Sequence, residues 1–495
     1  MIMEKNDAMR LFLRQRRFDL IFKYLYVKDS NDFNKKAYIE SIRAFNGFQE
    51  ESSNGVIKKS SSDFVEVFDS LIKEIKKEGY VASLGGVKVN STGKVIDGAH
   101  RLSICASLGK NVVLEDTDLD ANWDYNFFRS KNMKEEIMDY GALEFTKINP
   151  QAYVVNLMPV SNPSNDEKVI KILEKYGFVY YKKDVWITYN GLVNLKKISY
   201  GNFWERASWV GTSQNYYSGA QNHARLSMGK YPLRVVVFVC DSLEKVIEAK
   251  KEIRDLYGIG NFSVHINDTH EEAIQLAETY FNRNSLFLVN TRLFYLDDPI
   301  FEKHIEVLKN ACRDMKLDID RTCGAGSTPL NAFQIRHSED LDYLTLDEGC
   351  LPNNDILSSH DKHRELYPYS IEDIITNPCH HLYYNGVKFI SLETLYCMKM
   401  KQWEAPKNIL DSNKIKNIML YEKLVNTIKQ ENICKCGATM IQKKIVTGIY
   451  QLNNLTIPLD MLRFYNSPTK YLATRFPKVY RILWRMKHLK LKCPI

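Results

Sequence analysis

Gly326-Ser327 and Asp340-Leu341-Asp342, with twelve residues between them, restrict the fold of their surroundings more than any other feature of this chain. Pro299 to Lys316 places Phe301, Ile305, Leu308 and Cys312 near helical spacing and predicts an amphipathic helix. Leu317 to Cys323 reads as a short strand, and Gly324-Ala325-Gly326-Ser327 as a small-residue turn that lets backbone approach a phosphate. Strand alternation over Asp340 to Leu344 sends both aspartates to one face and Leu341 and Tyr343 to the other. Two carboxylates at i and i+2 can share a Mg²⁺ that also touches substrate phosphates. Arg336 and Ser338 stand just before the acids as candidate phosphate contacts. A β-hairpin with a solvated Asp-x-Asp satisfies the same residues.

This pattern of a Gly-Ser turn, a spacer and acid-hydrophobic-acid resembles the nucleotidyltransferase superfamily over roughly residues 299 to 415. The resemblance implies that Asp340 and Asp342 bind metal and act in catalysis, and that Gly326 and Ser327 hold an NTP triphosphate. It also implies a third acid on a later strand, for which Asp355, Asp361 and Asp373 are candidates. The expected cofactors are Mg²⁺ and an NTP, either ATP or CTP.

At 495 residues the chain is long enough for about three domains. Its 44% hydrophobic and 26% charged content is that of ordinary globular protein. No stretch approaches the roughly 20 apolar residues that span a bilayer, and the first residues lack a signal-peptide core. A cytoplasmic location is expected. The ten cysteines are scattered apart from Cys434-Lys-Cys436, and no second pair completes a zinc site, so reduced thiols are expected.

The net charge of +8 is concentrated at one end. Lys470, Arg475, Lys478, Arg481, Arg485, Lys487, Lys490 and Lys492 lie between Thr469 and Ile495 with no acid among them. The remainder is formally neutral, which argues against a large nucleic-acid surface. Interleaved with Phe476, Tyr480, Leu483 and Trp484, residues 469–495 suit peripheral contact with the inner face of an anionic membrane. A C-terminal helix packed on its own domain, with a solvated basic side, is the alternative.

Near the N-terminus, Gly86 to Asn90 and Lys94-Val95-Ile96 read as a hairpin around Ser91-Thr92-Gly93. Asp97-Gly98-Ala99-His100-Arg101 then opens a helix ending at Gly109, which gathers amides, an imidazole and a guanidinium around one point that attracts phosphate. Residues 60 to 120 resemble the core of the ParB/sulfiredoxin fold, with Asp97, Gly98, His100 and Arg101 on its signature. That superfamily includes partition proteins that bind CTP and DNA, sulfiredoxins, and kinases of small hydroxyl compounds. Ala99 stands where sulfiredoxins carry their catalytic cysteine, and Asn122 to Asn156 shows no helix-turn-helix reader. The resemblance therefore implies nucleotide binding by Asp97, Gly98 and Arg101 and a catalytic role for His100. A histidine and arginine that cap a helix and pair with Asp97 would use the same residues.

Residues 1 to 60 read as a helical lead-in in which Arg14, Arg16 and Arg17 form a solvated face, with phosphate contact as the alternative. Asp63 is the expected N-cap of the next helix. The turn-rich stretch Pro159 to Asn165 marks a boundary. Beyond it come a helix over Glu167–Tyr176, strands at Val179–Tyr181 and Val185–Thr188, and a β-α-β-α run from Leu233 to Asn282. Gly191, Gly201, Gly211 and Gly219 with Trp204 and Trp209 outline an irregular region open to a glycan or nucleotide. Tyr383 to Phe389 reads as an Asn-Gly hairpin, and the helix after it carries Lys399 and Lys401.

The expected fold class is α/β and α+β multidomain. Its expected parts are a helical lead-in (1–60), a ParB/sulfiredoxin-like domain (61–158), a small central α/β domain (159–295), a nucleotidyltransferase-like domain (296–430) and a basic helical tail (431–495). The expected activity is nucleotide-dependent phosphoryl or nucleotidyl transfer to a small hydroxyl or sugar-phosphate acceptor, in bacterial surface glycan (polysaccharide) biosynthesis. A ParB-like protein that binds DNA and CTP, and a non-catalytic nucleotide-binding scaffold, remain open as alternatives.

Overall fold

The computed structural model describes residues 6–51, 57–80, 85–201 and 207–433. The basic segment 469–495, with its expected membrane contact, and Cys434-Lys-Cys436 lie outside the described residues. Helix and sheet are mixed, and the chain divides into two compact units. The first comprises Met1–Trp186, Leu226–Arg283 and Thr376–Pro378, and the second comprises Ile187–Arg225, Asn284–Ile375 and Cys379–Ile495.

The boundaries expected at 60 and 158 fall inside the first of these units. The turn signals of Pro159 to Asn165 belong to a link within that unit, where Val160 N donates to Ser227 O and the Ser161 hydroxyl to Ser263 O. Residues 187–225, assigned to the central domain from sequence, leave the first unit and belong to the second.

In the first unit, α1 (Leu20–Lys28), α2 (Asp32–Asn46) and α3 (Ser61–Glu78) precede β1 (Val87–Val89), α4 (Ala99–Ser107) and β2 (Leu114–Asp116). Ser60, not Asp63, is the N-cap of α3; Asp63 sits at the third helical position and closes a capping box with it. The hairpin expected at 86–96 does not form as two full strands. β1 pairs in parallel with β2, and the returning segment keeps only the bridge Val89–Val95. The lead-in occupies the returning backbone. Gln15 accepts from Val95 N and donates to Gly93 O, while Arg17 donates to Ile96 O.

The rest of the first unit runs α5 (Glu135–Ile148), β3 (Ala152–Leu157), α6 (Asp166–Tyr176), β4 (Phe178–Val185), β5 (Leu233–Val239), α7 (Leu243–Tyr257), β6 (Val264–Ile266) and α8 (His270–Tyr280). The sheet order is β6-β3-β5-β4 with every neighbour antiparallel, and the chain order β-α-β-β-α-β makes it a split β-α-β arrangement. Every residue of β5 is buried, so its uninterrupted LRVVVFV run is a central strand covered on both faces. The strands expected at 179–181 and 185–188 are one strand, bent by a bulge between Val179 and Tyr181.

The second unit is built on α9 (Pro299–Asp314), β7 (Thr322–Gly324), β8 (Leu341–Thr345), β9 (Leu357–Ser359), β10 (His381–Tyr384), β11 (Val387–Ile390), α10 (Leu392–Lys401) and α11 (Pro406–Ile433). Its mixed sheet has the order β9-β8-β7-β11-β10. Phe301, Ile305, Leu308 and Cys312 of α9 are buried with Cys323, Leu341, Tyr343, Leu357 and Phe389 of the strands. Asn385 (φ 49°) and Gly386 (φ 71°) make the turn between β10 and β11, as their sequence demands. Among the described residues no helix is long and apolar enough to cross a membrane.

Candidate functional site

The site in the second unit begins where β7 ends. Ala325 N donates to Asp342 O, the Thr328 hydroxyl accepts from Asp342 N, and Ser327 N donates to Asp342 Oδ2 at 3.2 Å. The turn over residues 325–328 is thereby clasped to the start of β8. Gly326 adopts φ 53°, a left-handed conformation that favours glycine. Leu341 and Tyr343 are buried below the strand while Asp342 is only half-buried, as alternation predicts.

Asp342 has its carboxyl pushed up to about 6, first by burial and then by the charge of Asp340, against the Ser327 amide, the Lys399 ammonium and the nearby His363. The two aspartates therefore act on one another. Two hard carboxylate donors, of which one Asp342 oxygen is turned to Ser327, fit a divalent cation such as Mg²⁺. Among the described residues, no group of three or more His, Cys, Asp or Glu has metal-holding geometry, so a third carboxylate does not join the pair. Asp361 instead accepts from Thr345 N and the Ser359 hydroxyl, Asp373 pairs with His380, and Asp355 is exposed.

Cations converge on the other side of the turn. The Ser327 hydroxyl accepts from Arg336 Nη2 at 2.8 Å and from Lys399 Nζ at 3.3 Å. Both cations also bind Asp411, Lys399 at 2.9 Å and Arg336 through two nitrogens. Lys399 and Asp411 are each 2% exposed. Burial pulls the Lys399 ammonium below its usual range, against the opposing pull of Asp411. Lys401 turns elsewhere, to the carbonyls of Glu365 and Tyr367. Ser338 is occupied in shaping the loop: it exchanges hydrogen bonds with Asn331 and donates to Asp340 O.

Three further residues at this site were not singled out from sequence. β9 runs parallel to β8 with Ser358 opposite Asp342, and His360 N donates to Tyr343 O just beyond. His360 Nδ1 lies 2.6 Å from the Tyr367 hydroxyl, which also accepts from Gly326 N at 3.1 Å. The ring of His363 is 4.8 Å from that of His360. Burial first, then His363, depresses His360 to about 4. Tyr367 is buried and its phenol is pushed up, chiefly by burial. The pattern His-x-x-His with Tyr four residues on, directly after a short strand, was the available signal.

The N-terminal motif is arranged differently. Gly98 is the left-handed residue before α4 (φ 82°), and an added Cβ would lie 3.0 Å from the backbone of Val87. Asp97 has a largely exposed carboxylate 3.7 Å from Arg101, which also donates to Gly85 O. His100 packs edge-on against Phe68 and Tyr38, with Nε2 3.1 Å from the Tyr38 hydroxyl. Burial, then Lys23 and Lys58, holds it neutral, well below the usual imidazole range. Arg101 and Asp97 meet as the sequence suggested, whereas the His100 ring is packed into the aromatic core.

Arg14 and Arg16 of the lead-in are exposed, as expected, while Arg17 is partly buried and pairs with Asp19, which binds Lys23 at 2.5 Å. The Arg17 guanidinium lies 4.3 Å from the centroid of the Trp123 ring.

A cavity of about 330 Å³ in the second unit is lined by Thr345, Leu346, Glu348, Arg364, Tyr369, Ser370 and Ile371, none of them a candidate site residue. No family model, no curated protein and no solved structure matches this chain.

Proposed function

We propose that the second unit is a nucleotide-dependent phosphoryl or nucleotidyl transferase of the nucleotidyltransferase type. One observation carries the reading: the Gly326-Ser327 turn is fixed to Asp342 on one side and receives Lys399 and Arg336 on the other. A carboxylate at the Ser327 amide and ammonium and guanidinium groups at its hydroxyl thus meet at one residue. Asp340 and Asp342 would hold Mg²⁺, which supplies charge neutralisation on the phosphates.

The acceptor is a hydroxyl or a phosphate oxygen on a small molecule or sugar phosphate. In nucleotidyl transfer that oxygen bonds to the α-phosphorus as the α–β bridge breaks and pyrophosphate leaves. In phosphoryl transfer it bonds to the γ-phosphorus and the nucleoside diphosphate leaves. The acceptor proton passes to solvent as the new bond forms. Lys399 and Arg336 hold the departing phosphates. A role in surface glycan synthesis, a cytoplasmic location and peripheral membrane contact through residues 469–495 complete the proposal. The N-terminal motif adds a second phosphate-binding point at Asp97, Gly98 and Arg101, in keeping with a ParB/sulfiredoxin-like nucleotide module.

Calorimetric titration of the full chain with ATP and CTP, with and without Mg²⁺, tests this. Mg²⁺-dependent binding that is lost in Asp342→Asn and weakened in Lys399→Met is expected. Binding of neither nucleotide, or binding indifferent to both substitutions, overturns the assignment.

A further inference from the structure

Tyr367 is 4% exposed, and its hydroxyl touches two groups, Gly326 N and His360 Nδ1. Gly326 N can only donate, so the phenol oxygen is the acceptor there. Donated to its other neighbour, His360 Nδ1 at 2.6 Å, the phenol proton of this buried hydroxyl is satisfied. An imidazole that accepts at Nδ1 and is neutral carries its own proton on Nε2. One hydroxyl therefore fixes the tautomer of His360 and the amide of the Gly326 turn together.

The position of His360 says what that proton can serve. Ser358 pairs with Asp342 across parallel strands, and His360, just past the end of its strand, donates its backbone N–H to Tyr343 O. Asp340, His363, Glu365 and Lys399 are the charges it senses. A protonated nitrogen cannot ligate a metal, so His360 does not replace the third carboxylate.

The geometry points to His360 as a hydrogen-bond donor, through Nε2, to an anionic phosphate oxygen of the nucleotide, with Tyr367 as its positioning residue. This inference rests on the transferase reading of the same site. It adds a neutral donor to the cations Lys399 and Arg336, on the side of the turn where the carboxylates stand.

The test is a long-range ¹H–¹⁵N spectrum of the full chain labelled at histidine, assigned by loss of signals in His360→Gln and recorded with and without inorganic tripolyphosphate. An unprotonated Nδ1 and a protonated Nε2 are expected for His360, with that signature collapsing to a mixture of tautomers in Tyr367→Phe. Tripolyphosphate should shift the His360 signals. His360→Ala should weaken its binding about tenfold, while His360→Gln, whose amide keeps an N–H near the Nε2 position, should retain most of it. A protonated Nδ1, an unmoved His360 signal, or equal binding by His360→Ala and the wild type overturns the inference. Failure of the transferase reading looks different: MgATP and MgCTP are not turned over although tripolyphosphate still shifts His360.

Discussion

A Cβ added to Gly326 would lie 1.9 Å from Oδ2 of Asp342. The glycine is required twice, once by its φ of 53° and once by the carboxylate that its missing side chain admits. Gly326→Ala should cost about 1–2 kcal/mol from the left-handed backbone alone, and it should drive the Asp342 carboxylate off the Ser327 amide. Urea unfolding should show the loss of stability, and titration should show loss of Mg²⁺-dependent nucleotide binding. Unchanged binding in Gly326→Ala would mean that Asp342 need not sit against the turn.

The parts of this site legible in the sequence are those set by local rules. Strand alternation put Asp342 on the face opposite the buried Leu341 and Tyr343, and the small-residue turn followed from glycine chemistry. Helical spacing gave α9 and its buried face. His360 and Tyr367 escaped notice because their roles depend on a parallel pairing of β9 with β8, which no local pattern announces. Arg17 differs for a related reason: a charged residue in an amphipathic segment is usually solvated, and here the distant Trp123 and the neighbouring Asp19 cover part of it. The Pro and Ser residues at 159–165 serve a link within the first unit, which turn chemistry alone does not distinguish from a boundary.

The pH dependence of stability can be separated into two opposed contributions. Asp342 titrates near 6 when folded and near the ordinary 3.8 when unfolded, so the folded chain binds the extra proton between these values and stability falls as pH rises through that window. His360 titrates at about 4 when folded, below the ordinary 6.5, so the unfolded chain binds the extra proton and stability rises with pH from about 4 to 6.5. In the wild type the two partly cancel. Asp342→Asn should therefore be more stable than wild type at pH 7.5, by up to about 3 kcal/mol, with the gap closing towards pH 4. His360→Gln should instead gain on wild type as pH falls from 7 to 4.5. Urea midpoints at the two pH values measure both, and a gap of constant size for Asp342→Asn would refute the assigned shift.

In the first unit, Asp19 is fully buried between Arg17 and Lys23, and although burial opposes it, these cations hold its carboxyl well below the usual range. Asp19→Asn leaves two cations without their counter-charge in an apolar setting and should cost about 3–5 kcal/mol. Lys23→Met removes the buried ammonium while Asp19 keeps its bond to Arg17, so it should be far milder. Denaturation followed by circular dichroism ranks the two, and a milder effect for Asp19→Asn would show that Arg17 and Lys23 find other partners.

Asp411 holds Lys399 and Arg336 at the Ser327 hydroxyl, in the place where a phosphate would also pair with them. Asp411→Asn removes that counter-charge and should destabilise the chain, since an ammonium 2% exposed is left beside a guanidinium. An anion that occupies the site restores the missing charge. Tripolyphosphate should therefore raise the melting temperature of Asp411→Asn more than that of the wild type, because binding to the folded state alone stabilises in proportion to affinity. Lys399→Met in the same background should abolish the added stabilisation. Equal shifts in wild type and Asp411→Asn would place the phosphate away from Lys399 and Arg336, and the turn at Ser327 would lose its claim to bind a triphosphate.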